Sequence, residues 1–395
     1  MPCMIVISEF VGELRVELKP AMFELFPGNY RWSYNAHLAL AAGGQFGDLA
    51  LILPTLQANV GNDEVWHDNW DALAGVLVRR ADIASNPRSK VAHLLLATLY
   101  KIMAEHFVPP TDPRRLAAYR EVLQLFDRAQ AYSDNPVQRV RIPYGSQALH
   151  AYFLPAQASE TPAPTVIFVC GLDTTKELWF LRARQEFSLR GMNCLFVDTP
   201  GIGEALRIDK IPTRFDYEKP LAAIVDFLEQ RPEVDNDRIG IVGSSLGGYY
   251  VARGAAFEKR IKATVAWGAI WDYHATWVKR IAGNGASGAP PFQLFYVTGT
   301  STTEAALKVL EPFKVGPIAK QITCPFLIMH GSEDRQVSVD DANDLYEAIA
   351  SSDKELKIFD GWSGGAAHTQ FDNHLPALHY AADWINERLS QKTTA

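Results

Sequence analysis

A serine flanked by glycines is the first candidate for chemistry in this chain. Gly243, Ser245 and Gly247 form a Gly-x-Ser-x-Gly pattern directly after a short apolar run at residues 239–242. A serine hydroxyl is a weak nucleophile until it projects from the backbone and meets a base. A sharp turn from strand to helix provides that exposure, and glycines at these positions remove side chains that would collide in the turn. The pattern predicts a nucleophile at Ser245; the alternative is a glycine-rich turn whose serine only caps the next helix.

An acid is expected on a loop downstream of the serine, after a later strand. Residues 326–330 form an apolar, strand-like run, and Asp334 follows it closely. At the carboxyl end of such a strand, its carboxylate could accept a hydrogen bond from an imidazole and hold the ring in one tautomer. Glu333 is the competing acid, but it comes one residue earlier and is expected to point away. We therefore predict Asp334 as the acid.

The base is predicted in a glycine-rich loop before the last helical stretch. His368 ends the segment 361–368, which follows an apolar run at 356–359. A histidine in this place could take the proton from the serine hydroxyl. Three other histidines are interpreted as residues that brace a loop, pack or lie on the surface, namely His330, His374 and His379.

Two backbone amides are candidates for holding a developing negative charge. The amide of Leu246 opens the helix after the serine, where the first N–H groups have no partner inside the helix. The second amide would come from the loop at 171–177, which follows an apolar run at 165–170. Gly171 lets the backbone approach a substrate closely, so the amide of Leu172 is the second candidate. A plain strand-to-helix turn is compatible with the same residues.

Polar residues around this loop are further candidates. Asp173 and Lys176 could order the loop, and Thr174 could cap the helix that follows. We place Gly171 and Asp173 in the predicted substrate pocket. The segment 198–204 follows another apolar run, and either lines the floor of the site or is a tight turn made possible by its two glycines.

Three residues after the apolar run at 263–267 complete the predicted pocket. They are Trp271, Asp272 and His274. Ligands bind at the carboxyl edge of open parallel sheets, where these residues are expected to lie. For Asp272 and His274 the alternative is an ion pair or a helix cap, and for Trp271 it is ordinary core packing.

These candidates require a scaffold of alternating strands and helices. After the first third of the chain, short apolar runs without a polar face recur between helical stretches, which predicts a mostly parallel sheet covered by helices. Two alternating segments at 137–142 and 147–154 predict an antiparallel hairpin before it. A segment rich in Gly, Ser and Pro at 282–303 is expected to pass over the site. We predict a helical region at 1–135 and a catalytic domain at 136–395.

Helical periodicity in the N-terminal region is seen in apolar residues that recur every three or four positions. Segments rich in Gly, Pro and Asn separate the helical stretches. The predicted helices are at 34–42, 68–82, 90–107 and 113–132, with a loop at 42–48.

Composition narrows the class of protein. Of the 395 residues, 48% are hydrophobic and 11% aromatic, which is enough for a large buried core. The net charge of −7, without long runs of one sign, argues against nucleic-acid or anionic membrane partners. No apolar stretch approaches the roughly 20 residues needed to span a bilayer, and the start lacks the features of a signal peptide. The cysteines show no CxxC spacing, so we expect a cytoplasmic protein without a metal site.

The motifs together resemble a known group of enzymes. The Gly-Leu-Asp-Thr-Thr-Lys-Glu loop at 171–177, the Gly-Ser-Ser-Leu-Gly-Gly turn at 243–248 and the Asp-Thr-Pro-Gly-Ile-Gly turn at 198–203 are similar to those of the α/β-hydrolase superfamily. With the helical N-terminal segment, they resemble the 2,6-dihydroxypseudooxynicotine hydrolases and the fungal pigment hydrolases that shorten polyketides. The likeness runs through most of the chain and is sharpest between residues 165 and 372.

This resemblance implies the α/β-hydrolase fold, with the N-terminal helices capping the site. It implies a small-molecule hydrolase that cleaves a C–C bond next to a ketone, in a β-diketone or acyl-phenol, as a homodimer without a cofactor. An esterase or thioesterase would use the same machinery, and a non-hydrolytic cyclase or binding protein could use the same shell. By resemblance the catalytic triad is Ser245, Asp334 and His368, the oxyanion hole is the amides of Leu172 and Leu246, and an additional acidic group in the pocket is matched by Asp272.

Overall fold

The computed structural model describes residues 22–157, 162–172, 174–283 and 285–390. Asp173, which we predicted in the pocket, lies outside them. The described chain starts with helices that precede the first strand, and we call these helices the cap. The cap helices are α1 (Tyr30–Ala41), α2 (Phe46–Ala58), α3 (Asp63–Ile83), α4 (Pro87–Glu105) and α5 (Pro113–Gln130).

Local sequence explains where several cap helices begin. The side chains of Asn62, Asn86 and Asp112 accept hydrogen bonds from amides in the first turns of α3, α4 and α5, as expected of these residue types at a helix start. Helices α4 and α5 each open on a proline, whose fixed φ suits the first turn. Helix α2 was missed by the sequence prediction, since it contains Pro54 and starts within a stretch that we predicted as a loop.

The cap has an aromatic core of its own. Trp32, Trp66 and Trp70 are fully buried. The ring centroids of Trp32 and Trp66 lie 4.9 Å apart, and those of Trp66 and Trp70 lie 5.5 Å apart. Because each such ring buries roughly 150–250 Å² of surface, the cluster ties α1 to α3 and stabilises the cap.

The rest of the chain is built on a single twisted sheet. Its strand order is β1-β2-β4-β3-β5-β6-β7-β8. Strand β2 pairs antiparallel with β1 and with β4, and all other neighbours in the described sheet are parallel. The predicted hairpin is present, with Tyr144 paired to Gln147 across its turn. The strands are β1 (Gln138–Tyr144), β2 (Gln147–Leu154), β3 (Ala163–Val169), β4 (Asn193–Asp198), β5 (Val234–Ser244), β6 (Ile261–Trp267), β7 (Phe326–Gly331) and β8 (Lys354–Phe359).

Helices cover both faces of this sheet, as the apolar strands predict. Helices α6 and α14 pack on one face, and α8, α9 and α13 pack on the other. No helix in the described ranges is both long enough and apolar enough to cross a membrane. The helices after β3 are α6 (Lys176–Ser188), α7 (Gly203–Arg207), α8 (Glu218–Leu228), α9 (Leu246–Phe257), α10 (Tyr273–Ile281), α11 (Phe292–Thr298), α12 (Thr303–Leu310), α13 (Val339–Ala348) and α14 (His374–Ser390), with short 3-10 turns at Gly316–Gln321 and His368–Gln370.

The cap docks on the sheet domain through buried polar contacts as well as apolar packing. Glu105 at the end of α4 pairs with Arg207 of α7 at 3.0 Å and with Arg115 of α5 at 2.8 Å, and all three side chains are buried. Burial alone would raise the pKa of Glu105, but the two guanidinium groups lower it to about 2. Asn35 of α1 donates to the carbonyl of Gly288 at 2.7 Å, which joins the cap to the segment before α11.

Candidate active site

The turn that carries Ser245 has the tight geometry that its glycines predict. Ser245 joins β5 to α9 and has a φ of 58°, in the left-handed region that non-glycine residues rarely adopt. A Cβ on Gly243 would lie 2.2 Å from the carbonyl oxygen of Gly247, and one on Gly247 would lie 2.6 Å from that of Val169. Side chains at either position would therefore force the turn apart, which explains the spacing of the motif.

Three side chains that are distant in sequence meet beside this turn. His368 Nε2 lies 2.8 Å from Ser245 Oγ, and His368 Nδ1 lies 2.6 Å from Asp334 Oδ2. The side chains of His368 and Asp334 are almost completely buried. The other oxygen of Asp334 accepts the amides of Gln336 at 2.8 Å and Val337 at 3.0 Å. The carboxylate is thus fixed in place and holds the Nδ1 edge of the imidazole.

The electrostatics of Asp334 suit an ionised carboxylate. Burial alone would raise the pKa of Asp334, but the facing imidazole of His368 and its hydrogen bond outweigh burial and hold the pKa below its usual value. Glu333, the competing acid, is exposed. The structure therefore brings Asp334, and not Glu333, to the histidine.

The other histidines lie in supporting positions. His330 is buried at the end of β7, and its Nε2 lies 3.1 Å from the carbonyl oxygen of Val337, in the loop that holds Asp334. Burial lowers the pKa of His330, so it braces this loop as a neutral ring. His374 stacks on Trp267 with ring centroids 5.0 Å apart. His379 is partly exposed on α14, with its Nε2 3.2 Å from Glu186.

The loop after β3 lies against the serine turn. A Cβ on Gly171 would lie 2.9 Å from the carbonyl oxygen of Ser244 and 3.0 Å from the Cβ of Ser245, so only glycine allows this approach. Leu172 lines the cavity at Ser245. Leu246 is the first residue of α9, where its amide has no partner inside the helix. The helix cap after the loop is Thr175, whose hydroxyl accepts the amide of Leu178, rather than the predicted Thr174.

The ammonium group of Lys176 anchors the loop at 171–177 through buried ion pairs. It lies 2.8 Å from Glu177, 2.9 Å from Asp198 and 2.6 Å from Glu204, all in a buried cluster. Asp198 also accepts the backbone amide of Lys176 at 2.8 Å. The three carboxylates are close enough to hold a metal ion, but the Lys176 ammonium already contacts all three of them. The segment 198–204 therefore supports the loop and, contrary to one interpretation of the sequence, does not line the cavity floor.

The structure does not bring Trp271, Asp272 or His274 to the cavity at Ser245. One carboxylate oxygen of Asp272 accepts the amide of Ala275 as the cap of α10, and the other pairs with Lys314 at 3.2 Å. Helix capping directs this carboxylate toward the start of α10, which corrects our placement of Asp272 in the pocket. Trp271 packs on the 3-10 turn that starts at Gly316.

The cavity at Ser245 is small and enclosed by both parts of the chain. Its volume is about 60 Å³. Two arginines and no carboxylate line it among the described residues. A larger cleft of about 740 Å³ lies between α1, α4, α6 and α14 and contains no triad residue; Arg182 and Phe371 line both spaces. Cavity residues from the cap are Tyr34, Asn35, Leu38 and His106, and those from the sheet domain include Leu172, Thr175, Trp179, Arg182, Ser245, Tyr273, Arg280, Gln336, His368 and Phe371.

Sequence reasoning missed two prominent residues of this cavity. Tyr34 lies on cap helix α1; its hydroxyl is 3.3 Å from Thr369 Oγ1, and its ring centroid is 6.1 Å from that of His368. Nothing in the sequence linked this tyrosine to a loop more than 300 residues away. Arg182 did carry a signal, because it follows Trp179 by three positions and so falls on the buried face of α6. A charged residue on an apolar stripe marks a site that deserves a functional explanation.

The fold and the site geometry define an α/β-hydrolase. Residues 56–280, more than half of the chain, match the family model for FrsA-like esterases, and residues 297–365 match that for serine aminopeptidases of family S33. The chain therefore belongs to the FrsA-like esterase family. As a member of this family, it is an enzyme of the α/β-hydrolase class.

Curated relatives and a solved structure agree with this assignment. The chain is 29% identical to the 2,6-dihydropseudooxynicotine hydrolase of Paenarthrobacter nicotinovorans over 68% of this chain and 71% of that protein. It is 26% identical to the 20-hydroxy-prefusarin hydrolase FUS2 of Gibberella moniliformis over 84% and 90%. The crystal structure of 2,6-dihydroxy-pseudo-oxynicotine hydrolase matches with a TM-score of 0.76 and 26% identity, over 90% of this chain and 96% of that one. The resemblance predicted from the motifs is confirmed.

Proposed function

We propose that this protein is a serine hydrolase that cleaves the C–C bond next to a ketone through an acyl-enzyme intermediate. The observation that carries the hydrolase part of the proposal is the continuous hydrogen-bond chain from Ser245 through His368 to Asp334, at 2.8 and 2.6 Å, beside a small cavity. A serine with a base in contact and an acid behind it is the arrangement that nucleophilic acyl transfer needs.

In the proposed reaction, Ser245 Oγ attacks the ketone carbon while His368 Nε2 takes its proton. Asp334 stabilises the imidazolium that forms. The amides of Leu172 and Leu246 hold the oxyanion, and such donors are worth roughly 3–4 kcal/mol each in the transition state. Collapse of this intermediate breaks the C–C bond, and the leaving carbanion, delocalised as an enolate, takes the proton back from His368. Water, activated by the same histidine, then releases the acid and frees the serine.

The nucleophile is tested with Ser245→Ala and a phosphonate probe that esterifies activated serines. We expect the variant to lose at least about 1,000-fold in kcat/KM, because the covalent step is removed. Wild-type protein should gain the mass of one phosphonyl group, and Ser245→Ala should gain none. Ser301→Ala is the matched control, because Ser301 is exposed and outside the cavity. Full activity of Ser245→Ala would favour a cyclase or binding function instead.

The bond that is cleaved is tested by comparing 1,3-diketones with esters of the same carbon skeleton. The proposal expects a higher kcat/KM for at least one diketone than for its matched ester. The C–C assignment is supported by the resemblance of the sequence motifs to the 2,6-dihydroxypseudooxynicotine hydrolases, which implies a ketone substrate. Faster turnover of every ester would remove the C–C assignment and leave the triad in place.

A carboxylesterase is the second candidate. The specific observation in its favour is that the matching family model describes esterases. The same triad would serve it, because an ester only offers a better leaving group to the same acyl transfer. The diketone comparison separates the two functions without any change to the protein.

A further inference from the structure

Arg182 of α6 is a buried cation that has no counter-charge among the residues that the structure describes. Only 8% of its surface is exposed. No carboxylate acts on its charge among the described residues, and within the same ranges its buried Nε and Nη2 atoms have no hydrogen-bond partner. Unpaired charges in protein interiors are costly, so they are rare and point to a ligand when they occur beside a cavity.

Aromatic rings hold this guanidinium in place. Its Cζ lies 4.4 Å from the ring centroid of Trp179 and 4.5 Å from that of Phe371, with Trp267 further away at 5.6 Å. Cation–π contacts stabilise the charge without using up its N–H donors. Burial lowers the pKa of Arg182 to about 10, so the group keeps its charge at neutral pH. The guanidinium is thus held in place and charged, and its Nε and Nη2 donors have no partner among the described residues.

The guanidinium belongs to the same cavity as the reacting serine. Arg182, Ser245 and His368 all line the space of about 60 Å³. Arg280 lines it as well, but its Nη2 donates to the carbonyl of Gln336 at 3.2 Å. With two arginines and no carboxylate among its described lining residues, the cavity favours a negatively charged guest.

We propose that Arg182 is the anion-binding residue of the catalytic cavity and that the substrate carries a delocalised oxygen anion, as a carboxylate or as the ionised enol of a 1,3-dicarbonyl group. Both have two oxygens in one plane, which matches the paired donors of a guanidinium. The inference rests on the proposed function, because it places this anion on the molecule whose carbonyl Ser245 attacks. In C–C cleavage, the same contact stabilises the enolate that leaves.

Two substrate pairs identify the source of the anion. The first is 4-nitrophenyl butyrate against mono-4-nitrophenyl glutarate, which adds a carboxylate at the end of the acyl chain. The second is 3,3-dimethylpentane-2,4-dione against pentane-2,4-dione. Of these two, only pentane-2,4-dione has hydrogens between its carbonyls and can form the enol there. For at least one pair, Arg182→Met should lower the preference for the anionic or enolisable member by about tenfold or more in kcat/KM. A changed preference in the first pair identifies a carboxylate as the bound anion, and a changed preference in the second pair identifies an enolate.

Arg184→Met is the matched control, since Arg184 lies two residues away on α6, contacts helix carbonyls and does not line the catalytic cavity. It should leave both preferences unchanged. Arg182→Lys keeps the charge but not the paired donors, so it should give a preference between those of the wild type and Arg182→Met. It also replaces Arg182→Met as the test variant if that protein does not fold. Unchanged preferences in both pairs for the Arg182 variants would overturn the proposal.

A binding measurement separates this inference from the proposed function. Calorimetric titration of Ser245→Ala with butyrate and with butyramide requires no turnover. We expect butyrate to bind more tightly than butyramide, and the added Arg182→Met change to abolish the difference. Equal affinities before that change would count against the anion site, whereas hydrolysis by Ser245→Ala would count against the nucleophile alone.

Discussion

Replacing Lys176 with methionine removes the ammonium group at the centre of a buried cluster of carboxylates. Glu177, Asp198 and Glu204 each lie within 3 Å of it. Methionine keeps much of the apolar stem, so the variant changes charge more than packing. The cluster also anchors the loop with Gly171, so its loss should lower activity as well as stability.

The magnitude follows from burial. The side chains of Lys176, Glu177 and Asp198 are at most 1% exposed. Breaking a buried ion pair by deleting one partner costs about 3–5 kcal/mol, because an uncompensated charge stays behind. Arg139 lies 3.6 Å from Glu204, but its side chain is 46% exposed, so it offsets little of this cost. We expect Lys176→Met to lose about 3–5 kcal/mol in free energy of unfolding at neutral pH.

The loss should depend on pH in a defined direction. Burial already raises the pKa of Asp198. Burial would also raise the pKa of Glu177, but Lys176 outweighs it and holds that pKa below its usual value. Without the ammonium, the folded-state pKa of both carboxyls rises. Such a group costs nothing below its unfolded pKa of about 4, destabilises the fold increasingly as the pH rises above that value, and reaches its full cost above the folded pKa. The deficit should therefore shrink as the pH falls.

The assay is urea unfolding followed by circular dichroism, at about pH 7 and about pH 4.5. Lys308→Met is the control, because Lys308 is an exposed lysine on another helix, and its change should stay within about 0.5 kcal/mol. A loss below about 1 kcal/mol at pH 7 for Lys176→Met would refute the reasoning. So would a deficit that grows toward acid pH.

Three further outcomes are expected. Asp334→Asn should lower kcat by about 10⁴-fold while the circular dichroism spectrum is retained, because His368 loses the partner that sets its tautomer; steady-state kinetics measures this. Glu105→Gln should lose about 3–5 kcal/mol in free energy of unfolding at pH 7. Because the pKa of Glu105 is lowered to about 2, the wild-type protein loses the stabilisation from this ion pair as the pH falls from about 4.5 to about 2. Urea unfolding across that range should show a smaller loss of stability for the variant than for the wild type. Gly247→Ala should lower the free energy of unfolding by about 1–3 kcal/mol, since its Cβ would lie 2.6 Å from the carbonyl oxygen of Val169. Thermal melts test this, with Gly47→Ala as the comparison, because a Cβ on Gly47 would meet no atom within 4 Å.

The sequence by itself predicted those structural features whose physical cause lies within a few neighbouring residues. The central strands β3 to β7 were predicted because segments buried on both faces must be continuously apolar, whereas β8 is only partly buried. The serine turn was predicted because its glycines avoid clashes with residues that are close in sequence. A side chain on Gly243, for example, would collide with the backbone of Gly247. Helix α2 was missed because Pro54 weakens the local helical signal, whereas packing of the cap stabilises the helix.

Relations between distant residues were decided only by the tertiary structure. The sequence places Asp334 and His368 at the ends of strands, but their 2.6 Å contact depends on how β7 and β8 pair and where their loops turn. Asp272 sits at the expected edge of the sheet, yet capping of α10 turns its carboxylate away. The sequence does not predict that Arg182 lacks a carboxylate partner among the described residues, because this depends on every element packed around it. Periodicity and turn chemistry are encoded over a few residues, whereas the charge balance of a cavity is set by the whole fold.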